Sequence, residues 1–190
     1  MTSKENILSE IRKHGRKPLE MPSFESLSPV IYEYPMEQFV VTARQVGGRV
    51  ALLEEGADIN ALIRSFYPEA SVIASSLPFV KASLNPDTVD DARELNGTEV
   101  GVVKGEIAVA ENGCVWVPQT MKERAVLFIS ESLVIIVDRN DIVSNMHEAY
   151  ARIDNPGYGC FISGPSKTAD IAQALVMGAQ AAREVLYVIV

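Results

Sequence analysis

Short apolar runs alternate with amphipathic segments along most of the chain. The apolar runs predict β-strands at 49–53, 71–75, 98–103, 125–129, 133–137, 159–163 and 184–190. Helical spacing predicts helices at 3–13, 36–46, 58–67, 86–95 and 142–153, and a further helix that includes Ile171, Ala174, Leu175 and Gly178. Strands that alternate with helices of this length indicate right-handed βαβ crossovers, so we expect an α/β fold with a mostly parallel sheet and crossover helices.

One segment in the middle of the chain breaks this alternation. Two β-type runs within 107–117 are joined by Asn112-Gly113, the favoured pair for a tight turn, and predict a central β-hairpin. At the N-terminal end of the chain, the pattern of residues 1–35 predicts a short helix followed by an extended connection rich in proline and serine. We therefore expect a single α/β domain at 36–190, preceded by this N-terminal helix and connection.

Composition narrows the class of protein. The 190 residues are 47% hydrophobic and 22% charged, which is enough for one sizeable core. The net charge is −8 and no run of lysines or arginines occurs, so nucleic acid is not expected as a partner. No apolar run reaches the roughly 20 residues that span a bilayer, and the N-terminal segment is polar and amphipathic. These features predict a cytoplasmic protein without a membrane span.

The two cysteines, Cys114 and Cys160, each lie alone within an apolar segment. This placement predicts buried, reduced thiols. No C-x-x-C pair occurs, so we expect no zinc site, iron–sulfur cluster or other cofactor in this chain by itself.

The densest polar motif is "SGPSKT" at 163–168, between a predicted strand and a predicted helix. Free backbone N–H groups at a helix start, the helix dipole, hydroxyls and an ammonium together favour an anion. The candidate ligand-binding residues are Ser163, Gly164, Pro165, Ser166, Lys167, Thr168 and Asp170. A capped turn without a ligand is the alternative, and the residues alone do not decide between them.

Two carboxylates flank the first strand of the hairpin and are the candidate catalytic residues. Glu111 precedes the Asn-Gly turn in mostly apolar surroundings, where a half-buried carboxylate would have a raised pKa and could act as acid, base or nucleophile. Glu106 is five residues away, so the two side chains can converge only if Glu106 lies in the turn before the strand. A solvated turn residue is the alternative for Glu111.

The segments "GVVKGEIAVAENGCVWV" and "SGPSKTADI" together resemble the LUD domain family, of the lactate-utilisation protein C type. The resemblance implies a fold similar to the NagB/RpiA/CoA-transferase group. It also implies a role in oxidising L-lactate to pyruvate beside two cysteine-rich redox proteins that carry iron–sulfur clusters. The chain departs from the family pattern at Ala172, where relatives have Glu, and at Gln180, where they have His.

Three interpretations of function follow. The first is an accessory or ligand-binding subunit of lactate oxidation, with a small anionic metabolite as its ligand. The second is a transferase or ligase that acts on a carboxylate or a CoA thioester through Glu111, because "AENG" resembles the Ser-Glu-Asn-Gly segment of coenzyme A transferases. The third is a non-catalytic module that binds a small anion. The sequence leaves open whether the chain is an enzyme, which ligand it binds and its oligomeric state.

Overall fold

A five-stranded parallel sheet forms the centre of the protein in the computed structural model, which describes residues 2–15, 20, 23, 27–154, 157–169 and 174–190. The strands are β1 (Arg49–Leu52), β2 (Ile73–Ala74), β3 (Val100–Lys104), β4 (Ile107–Val109), β5 (Cys114–Pro118), β6 (Ser132–Val137), β7 (Ile142–Val143), β8 (Gly159–Ile162), β9 (Lys167–Thr168), β10 (Val176–Met177) and β11 (Glu184–Ile189). The helices are α1 (Ser3–His14), α2 (Pro35–Gln45), α3 (Ile59–Phe66), α4 (Val126–Ile129) and α5 (Met146–Arg152), with short 3-10 helices at Ala92–Leu95 and Arg139–Asp141.

The parallel sheet has the strand order β1-β11-β6-β3-β2. A second sheet has the order β7-β4-β5-β8, in which β4 and β8 both pair antiparallel with β5. The predicted hairpin is therefore confirmed as β4 and β5. It belongs to this second sheet, and it does not project from the parallel sheet as an isolated element. A third, two-stranded pairing joins β9 and β10.

Side chains of successive strand residues point to opposite faces of the sheet, and this alternation defines the layers of the fold. On β11, Leu186 and Val188 pack in one apolar cluster with Ile63 of α3, whereas Val185 and Tyr187 pack in another cluster with α2 and the second sheet. The second sheet buries its other face against α5, where Trp116 and Ala149 share a third cluster. The order of layers is thus α3, parallel sheet, second sheet with α2, and α5.

The mostly parallel α/β architecture was predicted correctly, but several elements were not. Residues 125–129 form the short helix α4 instead of a strand, and the helix predicted at 142–153 divides into β7 and α5. Of the helix predicted at 86–95, only the 3-10 turn at Ala92–Leu95 is present. Among the described residues, no helix is both long and apolar enough to cross a membrane.

Candidate small-molecule site

The SGPSKT loop lies at the amino edge of the parallel sheet. It follows β8, which belongs to the second sheet, and the backbone N–H of Ser166 donates to the carbonyl of Ala182 (2.8 Å), two residues before β11 begins. In open α/β sheets, ligands bind beyond the carboxyl ends of the parallel strands. The loop does not occupy that position, because the strand before it, β8, belongs to the second sheet.

The helix predicted after the loop is absent from its described part. Lys167 and Thr168 form β9, and Val176 and Met177 pair with them as β10. Gly178 has φ +71°, which no α-helix contains. Within the residues described on either side of 170–173, no helix begins after this loop. Asp170, one of the candidate ligand-binding residues, lies outside the described residues, as does Ala172.

Most of the donors that the anion prediction requires already have partners. The N–H of Gly164 donates to the hydroxyl of Tyr187 (2.7 Å), and the ammonium of Lys167 donates to the carbonyl of Val46 at the C-terminus of α2. Pro165 has no N–H and is buried beside Gly47. These contacts attach the loop to α2 and β11, so these donors have a structural role.

One glycine in each of the two motifs packs closely against α2. Gly113 in the hairpin turn has φ +65°, and a Cβ there would lie 2.8 Å from the backbone N of Ala43. Gly164 has φ +64°, and its Cβ would lie 2.3 Å from the carbonyl oxygen of Val46. Both positions require glycine, for the left-handed backbone and for the close approach to α2.

Tyr187 connects the loop to the core. Its buried hydroxyl accepts from Gly164 N and donates to the carbonyl of Ile162 (3.1 Å), so both of its hydrogen-bonding roles are used. Burial raises the pKa of this phenol, which keeps the hydroxyl protonated as a donor. Its ring packs edge-on against Phe39 of α2 at 5.4 Å between centroids. The loop is thereby held to the sheet and to α2 through one side chain.

Three polar groups at the loop have no partner among the described residues. The hydroxyls of Ser166 and Thr168 make no hydrogen bond there, whereas Ser163 donates to the carbonyl of Asn112 (2.9 Å). The exposed guanidinium of Arg183 has neither an ion pair nor a hydrogen bond within that part of the chain. Because Ala182 O binds Ser166 N, the Cα of Arg183 lies within about 7 Å of that nitrogen.

Arg183 was missed by the sequence interpretation. It stands 15 positions after Thr168, beyond a segment predicted as a helix, so nothing in the sequence connected it with the motif. The antiparallel pairing of β9 with β10 brings Arg183 close to the loop, because Gly178 N donates to Ser166 O (2.9 Å) and the aliphatic part of Arg183 lies against Gly178. Ser166, Thr168 and Arg183 therefore come together only in the folded structure.

A small cavity opens beside the loop, with a volume of about 140 Å³. It lies between α4, the end of β8 and the amino ends of β6 and β11. Its lining residues are Leu127, Phe128, Leu133, Phe161, Ile162, Gly164, Ser166, Ala181, Ala182 and Val185. Ser166 supplies the one polar side chain among these residues. The cavity therefore offers apolar walls with a single hydroxyl.

The candidate catalytic carboxylates do not converge. Glu111 is exposed, and its carboxylate accepts from the N–H of Met146 (2.7 Å) at the start of α5. Glu106 is also exposed and lies in the bend before β4, at the opposite end of that strand. The carboxylate of Glu111 therefore helps to cap a helix and is not half-buried among apolar side chains; its catalytic role stays a prediction.

The two motifs are nevertheless neighbours. The hydrogen bond from Ser163 Oγ to Asn112 O joins the loop to the hairpin turn. Through standard backbone dimensions it keeps the Cα of Glu111 within about 9 Å of Ser163 Oγ. The backbones of the two segments therefore lie side by side, although Glu111 directs its carboxylate to α5.

The thiols differ in burial. Cys114 is buried, and burial raises its pKa to about 12, whereas Cys160 is half-buried with a pKa also raised by burial. Both are free thiols. Within the described residues, no group of three or more His, Cys, Asp or Glu side chains is arranged to hold a metal ion.

A larger crevice, of about 820 Å³, lies at the carboxyl edge of the parallel sheet, where the general rule for open α/β sheets places ligands. It is lined by 52–57, 138–140 and Val190, and by none of the motif residues. Its walls carry Glu54, Glu55 and Asp138, and the guanidinium of Arg139 already donates to the carbonyl of Val190 (3.2 Å). Three carboxylates disfavour an anionic ligand there, so the cavity at the motif loop is the better candidate for one.

Comparison with known proteins agrees with the two motifs. The model of the LUD domain family matches residues 81–190. The chain is 30% identical over 141 residues to a protein named lactate utilization protein C from Geobacillus thermodenitrificans, a match that covers 70% of this chain and 56% of that protein. The protein of the same name from Geobacillus sp. (strain WCH70) is 28% identical over 163 residues, covering 79% of this chain and 65% of the relative.

The chain thus spans between half and two thirds of the length of these relatives. Among solved structures, a DUF162 family protein from Deinococcus radiodurans superposes with a TM-score of 0.62 and 14% identity, over 85% of this chain and 99% of the other. At that identity the likeness establishes a common fold. Because the family model covers more than half of the 190 residues, the chain belongs to the LUD domain family.

Proposed function

We propose that the chain binds a small carboxylate at the SGPSKT loop as a ligand-binding subunit of lactate utilisation. One observation supports the site: Ser166, Thr168 and Arg183 present polar groups without partners, within the described residues, around the loop that borders the cavity. The names of the relatives supply the pathway. L-Lactate and pyruvate are the first ligands to consider.

The chemistry of these groups suits a carboxylate. A guanidinium can donate two parallel hydrogen bonds to a carboxylate, and neighbouring hydroxyls can donate to the same oxygens. Since the chain carries a net charge of −8, a local cation is needed to hold an anion against the general repulsion. Arg183 provides that charge, because the ammonium of Lys167 is bound to Val46.

The accessory role has more support than the transferase interpretation. The transferase interpretation assigns the reaction to Glu111, which is exposed, is not among the residues that line the cavity, and accepts the N–H of Met146 at the start of α5. We propose that iron–sulfur proteins supply the electron transfer of the assembly. Co-purification of a tagged chain with proteins that carry the absorption spectrum of such clusters tests this part.

Calorimetric titration with L-lactate, pyruvate, phosphate and CoA tests the binding site. We expect a small carboxylate to bind, and Arg183→Gln or the double variant Ser166→Ala/Thr168→Ala to weaken it at least tenfold, as expected when a hydrogen bond to a charged group is lost. Arg152→Gln removes an exposed arginine from α5 and is the matched control, with unchanged affinity. Lys167→Met should have a smaller effect than either site variant.

Failure to bind any of the four ligands would overturn the proposed site, as would wild-type affinity in the triple variant of Ser166, Thr168 and Arg183. In the source organism, deletion of the gene should abolish growth on L-lactate as the carbon source. Wild type and the Arg152 variant should restore growth, and the Arg183 variant should not. Normal growth of the deletion strain would contradict the role in lactate utilisation.

A further inference from the structure

We infer that the ligand of this site carries an apolar group about the size of a benzene ring, so that an aromatic or branched-chain hydroxy acid binds more tightly than lactate. The inference rests on the proposed carboxylate site, because the cavity borders the same loop. It adds the substrate class, which neither the motifs nor the names of the relatives provide. Three properties of the cavity carry it: size, polarity and rigidity.

Size is the first property. The cavity holds about 140 Å³. An engineered protein cavity of about 150 Å³ lined by leucine, isoleucine and phenylalanine binds benzene. The cavity beside the loop has the same kinds of lining residue and nearly the same volume. A methyl group, which is all that lactate would place there, leaves most of the wall atoms without contacts.

Polarity is the second property. Leu127, Leu133 and Val185 form the floor and are almost completely buried. The loop atoms that could bind a polar tail already have partners, since Gly164 N donates to Tyr187 and Ser166 N donates to Ala182 O. The hydroxyl of Ser166 is the one side-chain polar group at the lining. A hydroxyl-rich or charged tail would lose its hydration there without replacement, so an apolar group is favoured.

Rigidity is the third property. Leu127, Leu133 and Val185 belong to the main apolar cluster, and the backbone of Gly164 is held by the hydroxyl of Tyr187. Walls fixed in this way keep their shape when the ligand is absent, which lowers the cost of binding. Phe128 also lines the cavity and is 40% exposed, so it lies where the cavity meets solvent. Its aromatic side chain can pack edge-on against a bound ring.

Affinity along a series of acids is the measured quantity. Each methylene group buried in the cavity should improve the dissociation constant about fourfold, and a complete phenyl ring should improve it about tenfold to hundredfold. We therefore expect phenyllactate and leucate, the hydroxy acid with the leucine side chain, to bind at least tenfold more tightly than L-lactate in calorimetric titrations.

Filling the cavity provides the decisive variant. Ala181 is a half-buried lining residue, and Ala181→Leu places three extra carbon atoms in the space. This variant should bind phenyllactate no better than lactate while keeping its affinity for lactate. Ala151→Leu makes the same change at an exposed position of α5 and is the control, in which the preference for phenyllactate should persist.

Benzene separates the cavity from the carboxylate site, because it has no anionic group. It should raise the melting temperature of the wild type and of Arg183→Gln, but not that of Ala181→Leu. Equal affinity for lactate and phenyllactate, or no effect of benzene on the wild type, overturns this inference and leaves the proposed function intact. If no acid of the series binds, both fail. If Ala181→Leu does not fold, loss of the benzene effect in Ala182→Val gives the same test.

Discussion

Gly164 has almost no room for a side chain, and this makes it a sensitive residue in the candidate site. A Cβ there would lie 2.3 Å from Val46 O, at the C-terminus of α2, and the backbone has φ +64°. We expect Gly164→Ala to lower the free energy of unfolding by about 3 kcal/mol or more, because left-handed backbone strain adds to a clash with main-chain atoms. Unfolding in urea measures the change.

Gly97 is the matched control for this substitution. It also has a positive φ (+83°), but a Cβ at this position would have no atom within 4 Å. Gly97→Ala should therefore cost only the strain, about 1–2 kcal/mol. Equal losses in the two variants would show that the contact of Gly164 with α2 contributes nothing.

Cys114 should make stability sensitive to alkaline pH. Its pKa rises from 9.0 to about 12 on folding, chiefly because burial disfavours the thiolate. Between these values the unfolded chain has lost a proton that the folded protein keeps. The free energy of unfolding therefore falls as pH rises, by up to about 1.4 kcal/mol per pH unit for this group. The contribution of Cys114 to stability is complete only below the pKa of its thiol in the unfolded chain.

Cys114→Ala removes that contribution, so its stability should fall less steeply above about pH 9 than that of the wild type. Cys160→Ala, at a half-buried thiol, should change the slope less. Urea unfolding at several pH values between about 8 and 11 provides the comparison. Parallel curves for the wild type and Cys114→Ala would mean that this thiol is not the source.

At the scale of elements, α5 depends on a carboxylate from the hairpin. This seven-residue helix has Asn145 as its N-cap, whose side chain accepts from Glu148 N, and Glu111 accepts from Met146 N. We expect Glu111→Ala to lower the free energy of unfolding by about 1 kcal/mol, and Glu111→Gln by less because the amide keeps an acceptor. Glu106→Ala, at the other end of β4, should change it by less than about 0.5 kcal/mol. Equal effects at positions 106 and 111 would remove the capping role.

The central strands of the parallel sheet could be predicted from the sequence. The runs at 133–137 and 184–190 are apolar at every interior position, as expected for strands covered on both faces, and they form β6 and β11 in the middle of the sheet. Asn112-Gly113 marked the hairpin through turn chemistry alone. The local sequence is sufficient to predict a strand that is buried on both faces, because all its interior residues are then apolar.

Two elements show where local patterns fail. The run "AVLFI" has only five residues, and a run of that length fits a buried helical turn as well as a strand; it forms α4. The spacing of Ala174, Leu175 and Gly178 suggested a helix with a buried face, yet Leu175 is 66% exposed and Gly178 has φ +71°. The same error concealed Arg183, because its approach to the loop depends on the pairing of β9 with β10.

At the scale of the whole molecule, β11 receives contacts from both neighbouring layers. Leu186 is fully buried on the α3 side, so Leu186→Ala should lower the free energy of unfolding by about 2–5 kcal/mol through lost transfer energy and an unfilled cavity. Leu52, on the adjacent strand β1, is 57% exposed, and Leu52→Ala should cost less than about 1 kcal/mol. Similar losses in both variants would contradict the assigned layers.

The position of β11 in the sheet also affects biosynthesis. It lies between β1 and β6, yet it follows every other strand of that sheet in the chain. While the ribosome is still adding residues before Glu184, β1 has no neighbour to pair with, and the apolar edge of β6 is uncovered. Such non-local pairing slows folding and leaves apolar surface and an unpaired strand edge exposed to other nascent chains. The growing polypeptide is therefore prone to associate with other nascent chains until β11 has been translated.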